Sequence, residues 1–156
     1  SWNRVLDAIA GGWSTSFAVT AHTGYPITVI DSVRRSLQST RSPERPDLVG
    51  DWKPANQTLE NWLNRDAFRE AALGTWGNAG VGIARAPGYW NIDMSGSKRF
   101  ITVGQQYFLF RAEFFNALNH PNFGPPDRDI RSQNFGRITS TVGDPRVIQL
   151  VLKYYF

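Results

Sequence analysis

The strongest constraint on this chain is an alternation of apolar and polar residues that recurs in four segments. In residues 12–22 one set of alternate positions carries large apolar residues such as Trp13 and Phe17, and the other set carries polar residues such as Ser16 and Thr20. A repeat of two residues places the two kinds of side chain on opposite faces of a β-strand. The same repeat predicts strands over residues 12–22, 88–100, 106–118 and 146–156.

The amino-acid composition excludes several classes of protein. Of the 156 residues 13% are aromatic and only 19% are charged, whereas soluble domains carry about 25% charged residues. The absence of cysteine excludes a disulfide scaffold, a thiolate metal site and a cysteine nucleophile. No apolar run is long enough for a transmembrane helix, and the first residues lack the apolar region of a signal peptide.

The connections between the predicted strands differ greatly in length. A tight turn is expected at 102–105, whereas residues 31–87 and 119–145 show no sustained pattern. Short turns that alternate with long loops are typical of a transmembrane β-barrel, which has a lipid-facing apolar side and a polar lumen. We therefore predict an all-β, antiparallel fold of this kind. A soluble antiparallel sheet alternates in the same way, so an aromatic-rich carbohydrate-binding module remains the alternative.

Aromatic residues near the strand ends are expected to form the two interfacial girdles of such a barrel. These residues are Trp13, Tyr25, Trp90, Phe100, Phe108, Tyr154 and Phe156.

Two features are expected within the first long loop. A short helix is predicted from Thr58 to Ala72, with Thr58 as its N-cap and apolar residues such as Leu63 along one side. The glycine-rich segment 74–82 is expected to be a flexible loop. It lacks the Lys-Ser/Thr sequence that follows the glycines of a phosphate-binding loop.

The sequence offers no candidate catalytic, cofactor-binding or metal site. Its two histidines, His22 and His120, lack metal-ligand spacing to another ligand residue. The polar faces of the predicted strands carry charged side chains that we expect to face the lumen. These residues are Asp93, Arg111, Glu113 and Lys153. For Arg111 and Glu113, contact with a plug is the alternative role.

The charged segments of the loops are expected to be solvated. Asp127, Arg128, Asp129 and Arg131 form one such cluster, for which contact with an extracellular ligand is a weaker alternative. The arginine-rich segment 34–45 lacks the interleaved aromatic residues on which bases stack, so we expect no nucleic-acid partner.

Two segments carry a resemblance to a known family. Residues 110–123, FRAEFFNALNHPNF, and residues 143–156, GDPRVIQLVLKYYF, resemble the C-terminal end of TonB-dependent outer-membrane receptors. The resemblance is to the Oar-like group, which has an N-terminal carboxypeptidase-regulatory-like domain. It extends from about residue 10 to residue 156 through shorter matches at 24–26, 45–48, 62–64, 67–68, 74–75, 77–78 and 88–93.

The resemblance implies that residues 1–156 are the last part of one barrel domain of roughly 22 strands closed around a plug. The four strands would be the last four, and residues 23–87 and 119–145 would be extracellular loops. Because four strands cannot close a barrel and open edges are not tolerated in lipid, we expect either a fragment or a chain unable to transport alone.

The resemblance also implies the location and the partners. The location would be the outer membrane of a Gram-negative bacterium. The partners would be membrane lipid, the TonB complex acting through the missing plug, and an extracellular ligand. Siderophore, oligosaccharide and peptide remain open as ligands, and adhesion or secretion as roles. We expect no enzymatic activity and no cofactor.

The last predicted strand resembles the signal that the β-barrel assembly machinery recognises. That signal combines a C-terminal aromatic residue with apolar residues at alternate positions before it. These positions are Ile148, Leu150, Leu152, Tyr154 and Phe156. They also fit an ordinary lipid-facing strand, and both interpretations can hold together.

Overall fold

The computed structural model describes residues 9–37 and 43–156, which divide into two compact units. One unit, here called the strand unit, contains residues 9–21, 90–121 and 143–156. The other, called the loop unit, contains residues 22–37, 43–89 and 122–142. Within the described ranges no helix is long and apolar enough to cross a membrane.

Ten β-strands are found in these ranges, together with one single-turn 3₁₀ helix, Arg65–Ala67. The strands are β1 Trp13–His22, β2 Pro26–Ile27, β3 Asp47–Leu48, β4 Phe68–Arg69, β5 Ala84–Arg85, β6 Tyr89–Ile101, β7 Tyr107–Phe115, β8 Asn122–Phe123, β9 Thr141–Val142 and β10 Val147–Tyr155.

The four long strands form one open sheet in the order β1-β6-β7-β10. β7 pairs antiparallel with both β6 and β10. The four predicted strands are thus confirmed, with ends that differ from the prediction by three residues at most. Strands β1 and β10 lie at the two edges of this sheet.

A tight turn joins β6 to β7, as the sequence predicted. The amide of Thr102 donates to the carbonyl of Gln106 at 3.0 Å, and the amide of Gln106 donates to the carbonyl of Val103 at 3.2 Å. Gly104 has a φ of 65°, a conformation that glycine adopts without steric cost.

The register of the sheet sorts the side chains onto two faces. Directly paired residues of antiparallel strands project to the same face. Phe114 pairs with Met94 on one side and with Ile148 on the other, which defines an apolar face. Glu113 pairs with Ser95, which belongs to the opposite, polar face.

The loop unit has its own hydrophobic core, although no periodic pattern predicted one. Short ladders β2–β5, β3–β4 and β8–β9 hold it together. The buried residues come from both long loops: Ile27, Val29, Leu63, Ala67, Phe68, Ala79, Ala84, Ala86 and Phe135. The sequence pattern did not indicate this core, because apolar residues without regular spacing meet only in three dimensions.

The prediction of a helix from Thr58 to Ala72 is wrong. Thr58 instead forms an isolated bridge with Asn61, and the only helical turn in this segment is Arg65–Ala67. The side chain of Asn64 caps that turn by accepting a hydrogen bond from the amide of Asp66 at 3.2 Å.

The second loop explains why this helix does not form. The amide of Trp62 donates to the carbonyl of Gly136 at 2.7 Å, and the carbonyl of Leu59 accepts from the amide of Ile138 at 2.8 Å. These backbone groups are therefore engaged by another segment. Tertiary pairing overrides the helical propensity of the sequence.

The glycine-rich segment 74–82 is a loop, as predicted, and it packs against the rest of the loop unit. Ala79 is fully buried, and its amide donates to the carbonyl of Pro46 at 3.0 Å. A side chain at Gly77 would lie 2.0 Å from the carbonyl oxygen of Arg45. Glycine is therefore required here for close approach of two backbones.

Candidate functional site

The four charged residues predicted to face a lumen lie on a single face of the sheet. Glu113 pairs with Ser95, and Lys153 pairs with Leu109. Arg111 is two residues from Glu113 along β7, and Asp93 is two residues from Ser95 along β6, so each points to the same side as its neighbour. The structure thus brings Asp93, Arg111, Glu113 and Lys153 to one face, and the lumen itself remains a prediction.

Hydrogen bonds fix the carboxylates on this polar face. The guanidinium Nη2 of Arg111 lies 2.6 Å from Oε1 of Glu113. Oδ1 of Asp93 accepts from the side-chain amide of Asn91 at 2.8 Å and from the backbone amide of Asn116 at 2.9 Å. Asn116, which directly follows β7 and has a φ of 48°, was not identified from the sequence as a site residue.

Asp93, Arg111 and Glu113 line a shallow groove of about 280 Å³, to which Lys153 does not contribute. The hydroxyl groups of Ser16 and Ser95 meet in the groove at 2.7 Å. A paired Arg and Glu beside two hydroxyls can form hydrogen bonds with a passing polar molecule.

The opposite face of the sheet is apolar and exposed. The exposed fraction is 64% for Phe17, 65% for Leu150 and 67% for Leu152. The predicted assembly residues of β10, namely Ile148, Leu150, Leu152 and Tyr154, all occupy this face through their pairing with β7. Phe156 follows β10 and is 97% exposed. Their function in assembly stays a prediction.

Aromatic residues cluster at the turn end of the sheet. Phe108 and Tyr154 have ring centroids 4.7 Å apart, and Tyr107 and Tyr155 have centroids 4.6 Å apart. The guanidinium of Arg99 lies 4.6 Å from the ring centroid of Tyr107. Phe108 and Tyr154 belong to the predicted girdle residues, whereas Tyr107 and Tyr155 were not predicted and lie on the polar face. The girdle itself stays a prediction.

A histidine takes part in the aromatic cluster at the other end of the strand unit. His120 stacks on Trp90 with centroids 3.9 Å apart. Its backbone amide donates to the side-chain oxygen of Asn116 at 2.9 Å. In the loop unit, His22 stacks on Tyr89 at 5.1 Å.

Metal binding has no structural support in the described ranges. No group of three or more His, Asp or Glu residues is arranged to hold a metal ion there.

Charged residues of the two long loops form an ion-pair network around the buried carboxylate of Asp31. The cluster that was expected to be solvated is solvated only in part, because Arg128 and Arg131 are exposed whereas Asp127 and Asp129 are half-buried. Arg131 pairs with Asp31, whose side chain is only 2% exposed, and also with Glu70. Glu70 in turn lies 3.3 Å from Nη1 of Arg35. Hydrogen bonding to Asp31 raises the pKa of Arg131, so its charge is permanent.

Asp129 belongs to the same structural network. Burial disfavours its charge, but hydrogen bonds from Arg131 and Ser32 outweigh burial and lower its pKa. Its Oδ1 accepts from the amides of Ser32 and Arg131 at 3.2 Å and 3.0 Å. Asp129 and Arg131 therefore shape the loop unit, which accounts for their position better than contact with a ligand.

A second buried carboxylate organises the segment that precedes residue 38. Glu44 accepts hydrogen bonds from the backbone amides of Arg35 and Ser36 at 2.6 Å and 3.0 Å, and from the Ser36 hydroxyl. The hydroxyl of Ser36 lowers the pKa of Glu44, and burial opposes this effect only in part. Arg41, one of the arginines of the basic segment, lies outside the described residues.

Comparison with known protein families decides the class of this chain. Residues 1–149 match a family model described as an outer membrane beta barrel domain. This chain belongs to the outer membrane beta barrel domain family. An outer membrane beta barrel domain lies in the bacterial outer membrane, as predicted, and the antiparallel sheet with one apolar face agrees with that fold. No curated protein and no solved structure matched the chain.

One charged residue lies on the apolar face of this beta barrel domain and was missed in the sequence. Lys98 pairs with Phe110 on that face and is 5% exposed. Its Nζ donates to the carbonyls of Ile9 at 3.0 Å and Gly11 at 2.6 Å, and lies 5.8 Å from the ring centroid of Trp13. The cation is thus satisfied locally, as a charge on an apolar face must be.

Proposed function

We propose that this chain supplies wall strands and extracellular loops of a TonB-dependent receptor of the Oar-like group, which transports a ligand across the outer membrane. One observation carries this proposal: a four-stranded sheet with an exposed apolar face and a charged opposite face. Such a sheet has lipid on one side and an aqueous lumen on the other. The resemblance of residues 110–123 and 143–156 supports the finer assignment.

The exposed apolar residues argue against a soluble carbohydrate-binding module. A soluble protein rarely exposes a contiguous apolar face of several large side chains. Here Phe17, Val19, Leu150 and Leu152 each remain more than 60% exposed on one side of the sheet. Lipid is the partner that covers such a surface.

The edges of the sheet support a larger barrel. β1 and β10 have a neighbour on one side only within the described part of the chain. An unpaired strand edge leaves backbone groups without hydrogen bonds, which costs several kcal/mol for each group in lipid. We therefore propose that additional strands complete the wall on both sides.

In this mechanism the loop unit meets the ligand and the polar face lines the passage. Force from the TonB complex rearranges the plug of the receptor, and the ligand then passes. Asp93, Arg111, Glu113 and Lys153 provide hydrogen-bonding groups along the wall, which suits both the plug and a polar ligand. We propose no enzymatic step and no cofactor for the chain.

Crosslinking tests the receptor assignment. Cells that produce the full-length protein should yield a formaldehyde-crosslinked complex with TonB in membrane fractions. Cells that lack TonB provide the control, and there the complex must disappear. A full-length protein that folds in the outer membrane but never crosslinks to TonB would contradict the assignment.

The last strand is proposed to bind the β-barrel assembly machinery as well as lipid. Phe156 is almost fully exposed and follows an edge strand, which makes the strand available for pairing with another edge. Deletion of Phe156 from the full-length protein should reduce the heat-modifiable, folded fraction in the outer membrane. Phe156→Tyr keeps an aromatic end and should preserve assembly. Equal folding of the deletion variant would count against the signal.

A further inference from the structure

We propose that a cavity in the loop unit binds a single neutral sugar ring. The cavity has a volume of about 390 Å³ and is lined by residues 25–27 and 125–128. Small-molecule sites measure about 300–1,000 Å³, so the space suits one ring with its substituents. The inference names a ligand class for the receptor function proposed above. Only the transport of the bound sugar rests on that function.

Four of the seven residues that line the cavity carry rings. Tyr25 is 53% exposed and offers the one aromatic face, while Pro26, Pro125 and Pro126 contribute saturated rings. The side chain of Ile27 is buried beneath them. Such walls attract the C–H-rich face of another ring through burial of apolar surface and contact with an aromatic face.

The cavity also contains one anionic and one cationic residue, Asp127 and Arg128. A carboxylate accepts hydrogen bonds from hydroxyl groups, and a guanidinium donates hydrogen bonds to them. Because the two charges compensate each other, the site favours a neutral ligand over a strongly charged one. A ring with several hydroxyl groups satisfies both residues at once.

Residues 125–128, which form one wall of the cavity, are held in place by backbone hydrogen bonds. The amide of Asp127 donates to the carbonyl of Arg137 at 2.9 Å, and its carbonyl accepts from the amide of Gly136 at 2.8 Å. Oδ1 of Asp127 accepts from the amide of Asp129 at 3.1 Å, which orients the carboxylate. The carbonyl of Arg128 accepts from the amide of Ile30 at 2.9 Å.

Residues 25–27, which form the other wall of the cavity, are constrained in the same way. The carbonyl of Tyr25 accepts from the amide of Ala86 at 3.0 Å, and Pro26 pairs with Arg85 in the β2–β5 ladder. At Gly24 a Cβ atom would lie 1.7 Å from the carbonyl oxygen of Ala86, so only glycine allows this approach. A preformed cavity lowers the entropic cost of binding.

The arrangement of groups distinguishes a sugar from a proline-rich peptide. Grooves that bind polyproline helices are lined by several aromatic residues, whereas this cavity offers Tyr25 alone. One aromatic platform with one acceptor and one donor beside it fits one polyhydroxylated ring.

Saturation-transfer NMR on the full-length protein in a sugar-free detergent tests the proposal. The probes are the methyl glycosides of glucose, galactose, mannose and N-acetylglucosamine. At least one should bind, and Tyr25→Ala should weaken its binding by about tenfold, because an aromatic contact is lost. Tyr25→Phe keeps the ring and should bind within about twofold of the parent.

Trp76→Ala is the matched control, since Trp76 is an exposed aromatic residue of the loop unit that does not line the cavity. It should leave binding unchanged. Failure of all four glycosides to bind, or equal weakening by Tyr25→Ala and Trp76→Ala, would overturn the proposal. Binding of a proline-rich peptide that requires Tyr25, without any glycoside binding, would also overturn it.

The outcome is independent of the receptor test. Sugar binding is measured without TonB, and TonB crosslinking is measured without sugar. Binding without crosslinking would retain the site and reject the TonB-dependent function, and the reverse result would reject the site alone.

Discussion

The guanidinium group of Arg131 binds both carboxylate oxygens of Asp31. Nε lies 2.8 Å from Oδ1 and Nη2 lies 3.0 Å from Oδ2, although the residues are 100 positions apart in the sequence. A bidentate pair of this kind fixes the orientation of both partners. Because each residue belongs to a different long loop, the pair joins the two loops into one unit.

Replacement of Arg131 by alanine should destabilise the loop unit by about 3 kcal/mol, because it leaves the buried Asp31 carboxylate without its cation. Native-state hydrogen exchange measures this loss directly. The amide of Val33, which donates to Oδ1 of Asp31 at 2.9 Å, is the most informative probe.

Arg137→Ala provides the control for this prediction. Arg137 lies 3.1 Å from Glu60, and both side chains are largely exposed. Exposed pairs contribute about 0–1 kcal/mol, so the substitution should change hydrogen exchange only slightly. Similar changes in hydrogen exchange in the two variants would show that the Arg131–Asp31 pair does not stabilise the loop unit.

The loop segment around Glu44 should loosen in acid. The pKa of Glu44 is lowered from its ordinary value of 4.5, so the carboxylate stabilises the fold above that pH. This contribution is lost as the pH falls through the lower pKa of the folded state. The amides of Arg35 and Ser36, which donate to Oε2 of Glu44, should lose protection from hydrogen exchange below about pH 4.5.

Glu44→Gln removes the titrating group and tests this cause. Protection of the same two amides should then be weaker at neutral pH and should not change further below pH 4.5, after correction for intrinsic exchange. An acid-induced loss of protection that persists in the variant would assign it to another group.

Gly77→Ala should disrupt the packing of the glycine-rich segment. The new Cβ would lie 2.0 Å from the carbonyl oxygen of Arg45 and 2.4 Å from that of Pro46, and backbone atoms cannot move cheaply. Overpacking typically costs about 1–3 kcal/mol, and a clash with backbone atoms falls at the upper end of that range. Limited proteolysis of the full-length protein should show faster cleavage within the loop unit.

Gly80→Ala is its matched control, because the nearest atom to a new Cβ there is Cβ of Ile83 at 3.9 Å. The cleavage rate should stay close to that of the parent protein. If Gly77→Ala is equally resistant to protease, the close approach of segment 74–82 to Arg45 and Pro46 is wrong.

The strands could be predicted because a strand face imposes a period of two on the sequence. Ile148, Leu150 and Leu152 lie two residues apart, and the register places all three on the apolar face. The same two-residue period also predicts the face of the sheet on which Lys98 lies. Its hydrogen bonds to Ile9 and Gly11 could not be predicted, because they depend on contacts between separate segments.

The loop unit could not be predicted because its contacts join residues with no regular spacing. Leu63, Ala79 and Phe135 share one core, yet each comes from a segment that contains mainly polar residues or glycine. Likewise, Arg131 is one of several charged residues in its segment. Only the tertiary structure identifies Asp31 as its buried partner.

Single-cysteine labelling along β10 tests whether this strand separates lipid from an aqueous lumen. These 156 residues contain no cysteine, and any cysteine elsewhere in the full-length protein is first replaced by serine. Each of the nine positions Val147–Tyr155 is replaced in turn in the full-length protein, and intact outer-membrane fractions are labelled. The apolar face, including Ile148, Leu150 and Leu152, should react with a lipid-soluble maleimide and resist a water-soluble one. Positions 149, 151 and 153 should show the opposite preference. Water-soluble labelling at all nine positions would contradict a strand that separates lipid from an aqueous lumen.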